Sequence, residues 1–263
     1  MNAPVQATED LLYHVEDGIA HLTFNRPQAR NALTFAMYER MAAICEAVNA
    51  DRSIKAMILT GTGDKAFASG TDISQFRAFN KEQDALDYEA RIDRVLGALE
   101  RCRVPTVAAI NGACTGGGAG IAASCDLRIA THSMRYGFPV AKTLGNCLSM
   151  NNYARLAALL GPARVKDIIF RARLIEAQEA LAIGLVSELV EDGAALARRA
   201  EELVREVASL APLTLQATKE ALFRLRVKPE EGSDLVLMCY MSADFREGMD
   251  AFLNKRKPAW KGR

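Results

Sequence analysis

Asn111-Gly112-Ala113-Cys114-Thr115-Gly116-Gly117-Gly118-Ala119-Gly120-Ile121 is the stretch on which the reading of this chain turns. It follows the apolar run Val104 to Ile110 and leads into the small-residue segment Ile121-Ala122-Ala123-Ser124-Cys125. That order predicts a strand, a glycine turn and a helix start. Glycine has no Cβ, so the turn lets the backbone come close to another group, and the helix start behind it offers unpaired N–H groups. The stretch therefore predicts a place for a negative charge, fixed or transient.

Whole-chain properties narrow what that charge can be. With 263 residues, half of them hydrophobic and a quarter charged, the chain can bury a sizeable core as one domain, or one domain with an appendage. A net charge of +1 gives no electrostatic case for nucleic acid or an anionic membrane surface. Met1 to Asp10 lacks the basic and apolar regions of a signal peptide, and no apolar run approaches the ~20 residues of a membrane span. Cys45, Cys102, Cys114, Cys125, Cys147 and Cys239 form no CxxC pair and most sit in apolar segments; they read as buried free thiols in a reducing, cytoplasmic compartment. His14, His21 and His132 lack metal-ligand spacing, so no metal site is expected and the first two read as structural strand residues.

Periodicity places the other elements around the turn. Leu11 to Glu16, Asp17-Gly18 and Ile19 to Phe24 read as an antiparallel hairpin. Thr34 is a plausible N-cap for a helix to about Ala50 with Met37, Met41, Ile44 and Val48 on its apolar face. Ala56 to Thr60 reads as a buried strand, Lys81 to Cys102 as a helix and Asp126 to Ala130 as a strand. After Gly145 the pattern is nearly all helical, with an amphipathic helix from Ala195 to Ser209, another from Leu213 to Val227, and a last one from Ser233 to about Phe245 before a basic tail. The front half mixes strands and helices, which makes the fold class α/β (α+β).

Four segments taken together carry a family resemblance. They are Asn25-Arg26-Pro27-Gln28-Ala29-Arg30-Asn31-Ala32-Leu33, Phe67-Ala68-Ser69-Gly70-Thr71-Asp72-Ile73, Pro105 through Gly118, and Phe245 through Phe252 followed by Lys255-Arg256-Lys257-Pro258. In this order and spacing the chain strongly resembles the crotonase superfamily, the enoyl-CoA hydratase/isomerase family, over essentially its whole length. The resemblance implies a spiral of ββα units in residues 1–200 and a helical oligomerisation region in residues 201–263. It further implies a homotrimer or a dimer of trimers, an acyl-CoA thioester as substrate, and no cofactor beyond the coenzyme A of that substrate.

It also implies particular residues. The backbone N–H groups of Thr71 and Gly117 are the expected donors to a thioester enolate or related oxyanion. Charge appears on that oxygen only as the barrier is climbed, so fixed donors favour the transition state selectively. Ser69, Gly70, Asp72 and Ile73 flank the first donor and are expected along the substrate, although an acid at Asp72 normally makes structural hydrogen bonds in this motif. Ala29 and Arg30 match positions bordering the CoA nucleotide, and Lys255 one that reaches a CoA phosphate. Ser74, Gln75, Tyr88, Glu89, Arg91 and Asn151 are candidates to line an acyl pocket.

Two departures stand out. Hydratases of this family carry glutamates three residues after the middle glycine of the triplet and directly after the proline of Tyr136-Gly137-Phe138-Pro139; this chain has Gly120 and Val140 there. Neither can carry a proton. The chain also resembles the 4-chlorobenzoyl-CoA dehalogenases at the glycine turn and around Leu144-Gly145-Asn146-Cys147, where that subgroup has an aspartate nucleophile and this chain has Cys147. Asp93, twelve residues before Pro105, falls near that subgroup's histidine base. Cys147 as nucleophile or polar wall and Asp93 as general base are thus candidate replacements, set against a small packing residue at a helix start and an exposed acid flanking Ile92 on an amphipathic helix. The implied function is a lyase, isomerase or hydrolase step through a thioester oxyanion, with a non-catalytic acyl-CoA-binding protein as the alternative.

Overall fold

The computed structural model describes residues 10–227, 238 and 241–263. Strands β1 (Leu11–Glu16) and β2 (Ile19–Phe24) form the expected hairpin, turning at Asp17 and Gly18, both with positive φ. Helix α1 (Phe35–Ala50) starts where Thr34 Oγ1 accepts the N–H of Met37, as an N-cap should. Then come β3 (Ala56–Gly61), β4 (Ala66–Ala68) and α2 (Glu82–Glu100); β5 (Thr106–Ile110), β6 (Ala113–Thr115) and α3 (Gly117–Ser124); β7 (Leu127–Thr131), β8 (Arg135–Gly137) and α4 (Met150–Leu160). Each of these three passes places one strand in each of two sheets and then a helix. The larger sheet runs β1-β2-β3-β5-β7-β10 and the smaller β4-β6-β8-β9, where β9 is Ile175–Glu176 and β10 is Glu188–Val190. The pairs among β2, β3, β5, β7 and β10 are parallel, as are β4–β6 and β6–β8.

This is the ββα spiral that the resemblance implies. No fixed sequence period announces it, because the helix closing each pass varies: α2 has 19 residues and α3 only 8. The glycine stretch also contains more than a turn. Asn111-Gly112 turns the chain from β5 into β6, and the helix begins only at Gly117. Strands of three residues are too short to show a pattern.

The larger sheet is buried on both faces, which explains its almost continuous apolar strands. Met57, Leu59, Ala108, Ile110 and Ala130 face the main core with α1, α2 and α3. Ile19, Ile58, Val107, Ala109 and Ile129 face Leu196, Ala200, Leu203 and Val204 of α7 (Gly193–Ala208). A division after residue 200 therefore falls inside α7, whose two halves pack on the same sheet. His14 and His21 stack across the hairpin at 4.5 Å between ring centroids, and burial lowers the pKa of His21.

Between β8 and β10 the chain adds α5 (Pro162–Phe170) and α6 (Ala177–Ala182), and after α7 comes α8 (Pro212–Val227), tied to β7 by the Lys219–Asp126 ion pair. Helix α8 buries none of its residues, and Leu222, Leu225 and Val227 are exposed. The last helix departs from expectation. Its expected start at Ser233 lies outside the described residues, and α9 (Ala243–Leu253) continues past Phe245. The basic tail is no free tail: Arg256 pairs with Glu247 and Asp250 of α9, which folds it back on the helix. Cys45, Cys102, Cys114, Cys125 and Cys147 are free; Cys239 lies outside the described residues. No described helix is long and apolar enough to cross a membrane.

The loop between β2 and α1 is fastened to the smaller sheet by Asn31, which is fully buried and has left-handed backbone. Its Nδ2 donates to Thr62 O at 3.1 Å and Ala66 O at 2.7 Å, and its Oδ1 accepts the N–H of Arg26 at 2.9 Å. Replacing Asn31 by Ala strips partners from buried backbone groups. The expected loss is about 1–3 kcal/mol, measured as a lower midpoint in urea unfolding.

Candidate active site

β4 ends at Ala68, and the chain enters Ser69-Gly70-Thr71 alongside the loop held by Asn31. Ser69 N–H donates to Arg30 O, Leu33 N–H to Gly70 O and Asp72 N–H to Leu33 O, at 3.1, 2.8 and 2.9 Å. On the other side, Gly116 N–H donates to Gly137 O at 2.9 Å, and Thr115 Oγ1 donates to Ser69 O at 3.1 Å. Backbone and side-chain groups around the two turns are thus largely tied to each other. The amides of Thr71 and Gly117 have no acceptor among the described residues, and both residues line one pocket.

Two glycines make this possible. Gly70 has φ +106° and Gly116 has φ +53°, and a Cβ on Gly116 would stand 3.4 Å from the Cα of Gly70. A side chain at either position would strain the backbone, whose positive φ glycine alone adopts freely. Gly117 has a third reason to be glycine, since its Cβ would lie 2.0 Å from the hydroxyl of Tyr38. As the first residue of α3, Gly117 also presents an N–H that no helix partner can take.

The Tyr38 hydroxyl belongs to a chain that the sequence did not reveal. It shares a hydrogen bond with Thr71 Oγ1 at 2.9 Å, and Thr71 Oγ1 shares one with the Tyr88 hydroxyl at 2.8 Å. Tyr38 thus touches both halves of the amide pair: Thr71 by hydrogen bond, Gly117 by contact. Burial pushes both phenols above the usual range, so both stay neutral. Only its apolar neighbours on α1 were legible; a buried tyrosine one position off the stripe carries no pattern.

The pocket has a volume of about 180 Å³. Ser69, Gly70, Thr71, Ile73 and Gly117 line it as expected, and so do Gly120 and Val140, the positions where an acid is missing. Phe76, Ile92, Leu96, Phe138, Leu144 and Leu148 make most of its wall apolar. Among the candidates for its acyl part, Tyr88 and Glu89 line it. The other four are occupied elsewhere: Ser74 with Asp72, Gln75 with the N–H of Phe35, Arg91 with Glu39, and Asn151 with Asp93.

Several expected site residues lie outside the lining. Asp72 caps the following turn: the Ser74 hydroxyl and N–H and the Arg26 guanidinium hold its carboxyl below the usual range. Asp93 accepts from Ser149 Oγ at 2.5 Å and Asn151 Nδ2 at 2.9 Å, so it fastens the start of α4 instead of facing substrate. Cys147 is exposed and stands two residues before Ser149, the N-cap of α4, so no helix start activates it. Ala29 and Arg30 sit on the outer side of the Asn31 loop, and Lys255 is exposed beyond α9.

Glu89 is half-buried. Burial raises its carboxyl pKa, and so does the charge of Asp93, while the Ser149 N–H works in the opposite direction. Among the described residues it is the one carboxylate in the pocket lining, and no cation lines the pocket with it.

Comparison with known proteins bears on the family and the fold. The sequence profile of the family Enoyl-CoA hydratase/isomerase matches residues 14–263. Short-chain-enoyl-CoA hydratase of Clostridium acetobutylicum is 34% identical over 253 residues, covering 94% of this chain and 96% of that protein. Crotonyl-CoA hydratase of Syntrophomonas wolfei is 33% identical over 263 residues, covering 95% and 97%. Among solved structures, an enoyl-CoA hydratase/carnithine racemase from Magnetospirillum magneticum superposes with a TM-score of 0.90 at 33% identity, over 98% of each chain. The chain belongs to the enoyl-CoA hydratase/isomerase family of the crotonase superfamily.

Proposed function

We propose that the protein binds an acyl-CoA thioester with its carbonyl oxygen between the amides of Thr71 and Gly117, and catalyses a step through the thioester enolate. The observation that carries this reading is that Thr71 and Gly117, whose amides have no acceptor among the described residues, line one pocket from two turns that meet at Gly70 and Gly116. Such donors cost no reorganisation as charge develops. Coenzyme A enters as part of the substrate, and the chemistry needs no further cofactor. Ala29, Arg30 and Lys255 lie outside the acyl pocket, where the nucleotide end of CoA would run.

The acyl group that fits is apolar. Phe76, Phe138, Leu96 and Leu148 surround it, and with Glu89 as the pocket's one charge, an acyl chain ending in its own carboxylate would meet repulsion and no counter-ion. Hydration is the reaction least served. Gly120 and Val140 line the pocket without offering a proton carrier, and a positioned acid–base is worth roughly 10²–10⁴ in rate. Isomerisation or α-proton exchange asks for one proton carrier in place of two, and is the reaction class proposed. A carboxylate-nucleophile dehalogenation has no counterpart in exposed Cys147.

The assembly proposed is a homotrimer or a dimer of trimers. What supports it is the unburied α8, with Leu222, Leu225 and Val227 open to a neighbour. Free cysteines suit a reducing cytoplasmic setting.

Saturated, 2-enoyl, 3-enoyl and aryl CoA thioesters, incubated with the protein in heavy water and followed by mass spectrometry, are expected to gain deuterium at Cα or to shift their double bond. Addition of water to crotonyl-CoA is expected to be slower by about two orders of magnitude or more. Binding without any of these changes would support the acyl-CoA-binding alternative instead. The amide itself is tested by Gly117→Pro in a Tyr38→Phe background, which removes the N–H at a position where proline suits a helix start and clears the hydroxyl it would strike. Relative to the Tyr38→Phe parent, turnover should fall about 10²–10³-fold.

A further inference from the structure

We propose that Glu89 is the acid–base residue of this pocket, taking over the proton transfer that the side chains at 120 and 140 cannot perform. The inference rests on the proposed thioester reading and adds to it the group that moves the proton.

Helix geometry places Glu89 at the site. Tyr88, Ile92 and Leu96 are the pocket-lining residues of α2 at successive four-residue steps, and Glu89 lies beside Tyr88 on the same face. Among the described residues the pocket lining holds two ionisable side chains, and Tyr88 is committed to Thr71 Oγ1 as a neutral phenol. Glu89 alone is left with a proton to give or take. On its own helix the charge nearest to it is Asp93, one turn on. From the loop before α4 and from α4 itself come neutral groups, Asn146, Ser149 and Asn152, and from the turn at 73–78 come Ile73 and Phe76.

The surroundings suit a base better than a fixed anion. Partial burial and the negative Asp93 both oppose ionisation of Glu89, which makes its carboxylate more basic than a solvated one. Asp93 thereby acquires an indirect part. Locked by Ser149 and Asn151, it cannot reach substrate, but it keeps a negative charge behind Glu89. It is a positioning residue.

The step balances without a co-reactant. The Cα–H bond of the thioester breaks, its proton passes to a Glu89 carboxylate oxygen, and the electron pair forms the enolate double bond. The carbonyl pair moves onto the thioester oxygen, which the amides of Thr71 and Gly117 receive. Return of the proton to Cα gives exchange; return to Cγ of a 3-enoyl chain gives the conjugated 2-enoyl isomer. Either return restores the carboxylate.

The test uses the full-length protein with 3-hexenoyl-CoA and hexanoyl-CoA in heavy water, read by mass spectrometry, with hexanoyl-CoA affinity and thermal melting measured in parallel. Glu89→Gln should lose isomerisation and α-deuteration by about 10²-fold or more while still binding hexanoyl-CoA and melting as wild type does; Glu89→Asp should keep part of the rate. The acidic limb of the wild-type pH–kcat/KM profile should lie above the 4.5 of an ordinary glutamate. Asp93→Asn should move that limb downward, because the opposing charge is gone; a purely structural Asp93 would leave it in place. Wild-type rates in Glu89→Gln would overturn the assignment of Glu89 and leave the thioester reading intact. A wild-type protein that binds hexanoyl-CoA but neither exchanges nor isomerises would overturn it as well. Failure of the wild type to bind either thioester would overturn the thioester reading, and the Glu89 proposal with it.

Discussion

The contact between Gly70 and Gly116 is the constraint on which the site depends. Two chain reversals, one leaving β4 and one leaving β6, meet backbone against backbone, each through a glycine with a positive φ that side chains rarely adopt. Because β4 and β6 are neighbouring parallel strands, the sheet itself delivers the two turns to the same edge. The hydrogen bonds from Ser69, Leu33, Thr115 and Gly116 then use up nearby donors and acceptors, and the amides of Thr71 and Gly117 are left over. Among the described residues the amides of Thr71 and Gly117 have no acceptor and both residues line the pocket, and that is what gives the site its chemical character.

The hydroxyl chain from Tyr38 through Thr71 to Tyr88 stiffens that arrangement. It joins α1, the first turn and α2, and its inner end rests against Gly117. A threonine at 71 therefore matters for its side chain as well as its amide. The same α2 face supplies Tyr88 to this brace and Glu89 to the pocket, so support and chemistry share one helix.

Much of this was legible in the sequence and some was not. The glycine stretch, the Ser69-Gly70-Thr71 turn and the apolar stripes of α1 and α7 are written in local residue types, which is where periodicity and glycine content carry information. Strands β6 and β8 were not visible, because three residues cannot establish alternation. Asp93 and Cys147 were candidates by motif position, beside plainer structural readings, and long-range placement favours the plainer ones: Ser149 and Asn151 hold the acid, and the thiol is exposed ahead of the N-cap. Glu89 stood among six candidates of equal weight. What separates it from Ser74, Gln75, Arg91 and Asn151 is that it lines the pocket while each of those is held by another partner, and for Gln75, Arg91 and Asn151 that partner is 40 or more residues away, where no single-sequence signal reports it.

The most direct measurement of the central claim is isotope-edited infrared spectroscopy of a thioester labelled with ¹³C at its carbonyl and bound to the protein. Two N–H donors polarise the carbonyl, so its stretch should move to lower frequency on binding to the wild type. That shift should shrink when Gly117→Pro in the Tyr38→Phe background removes one donor. A bound carbonyl with the same frequency as in water, or one shifted equally in both proteins, would contradict the account.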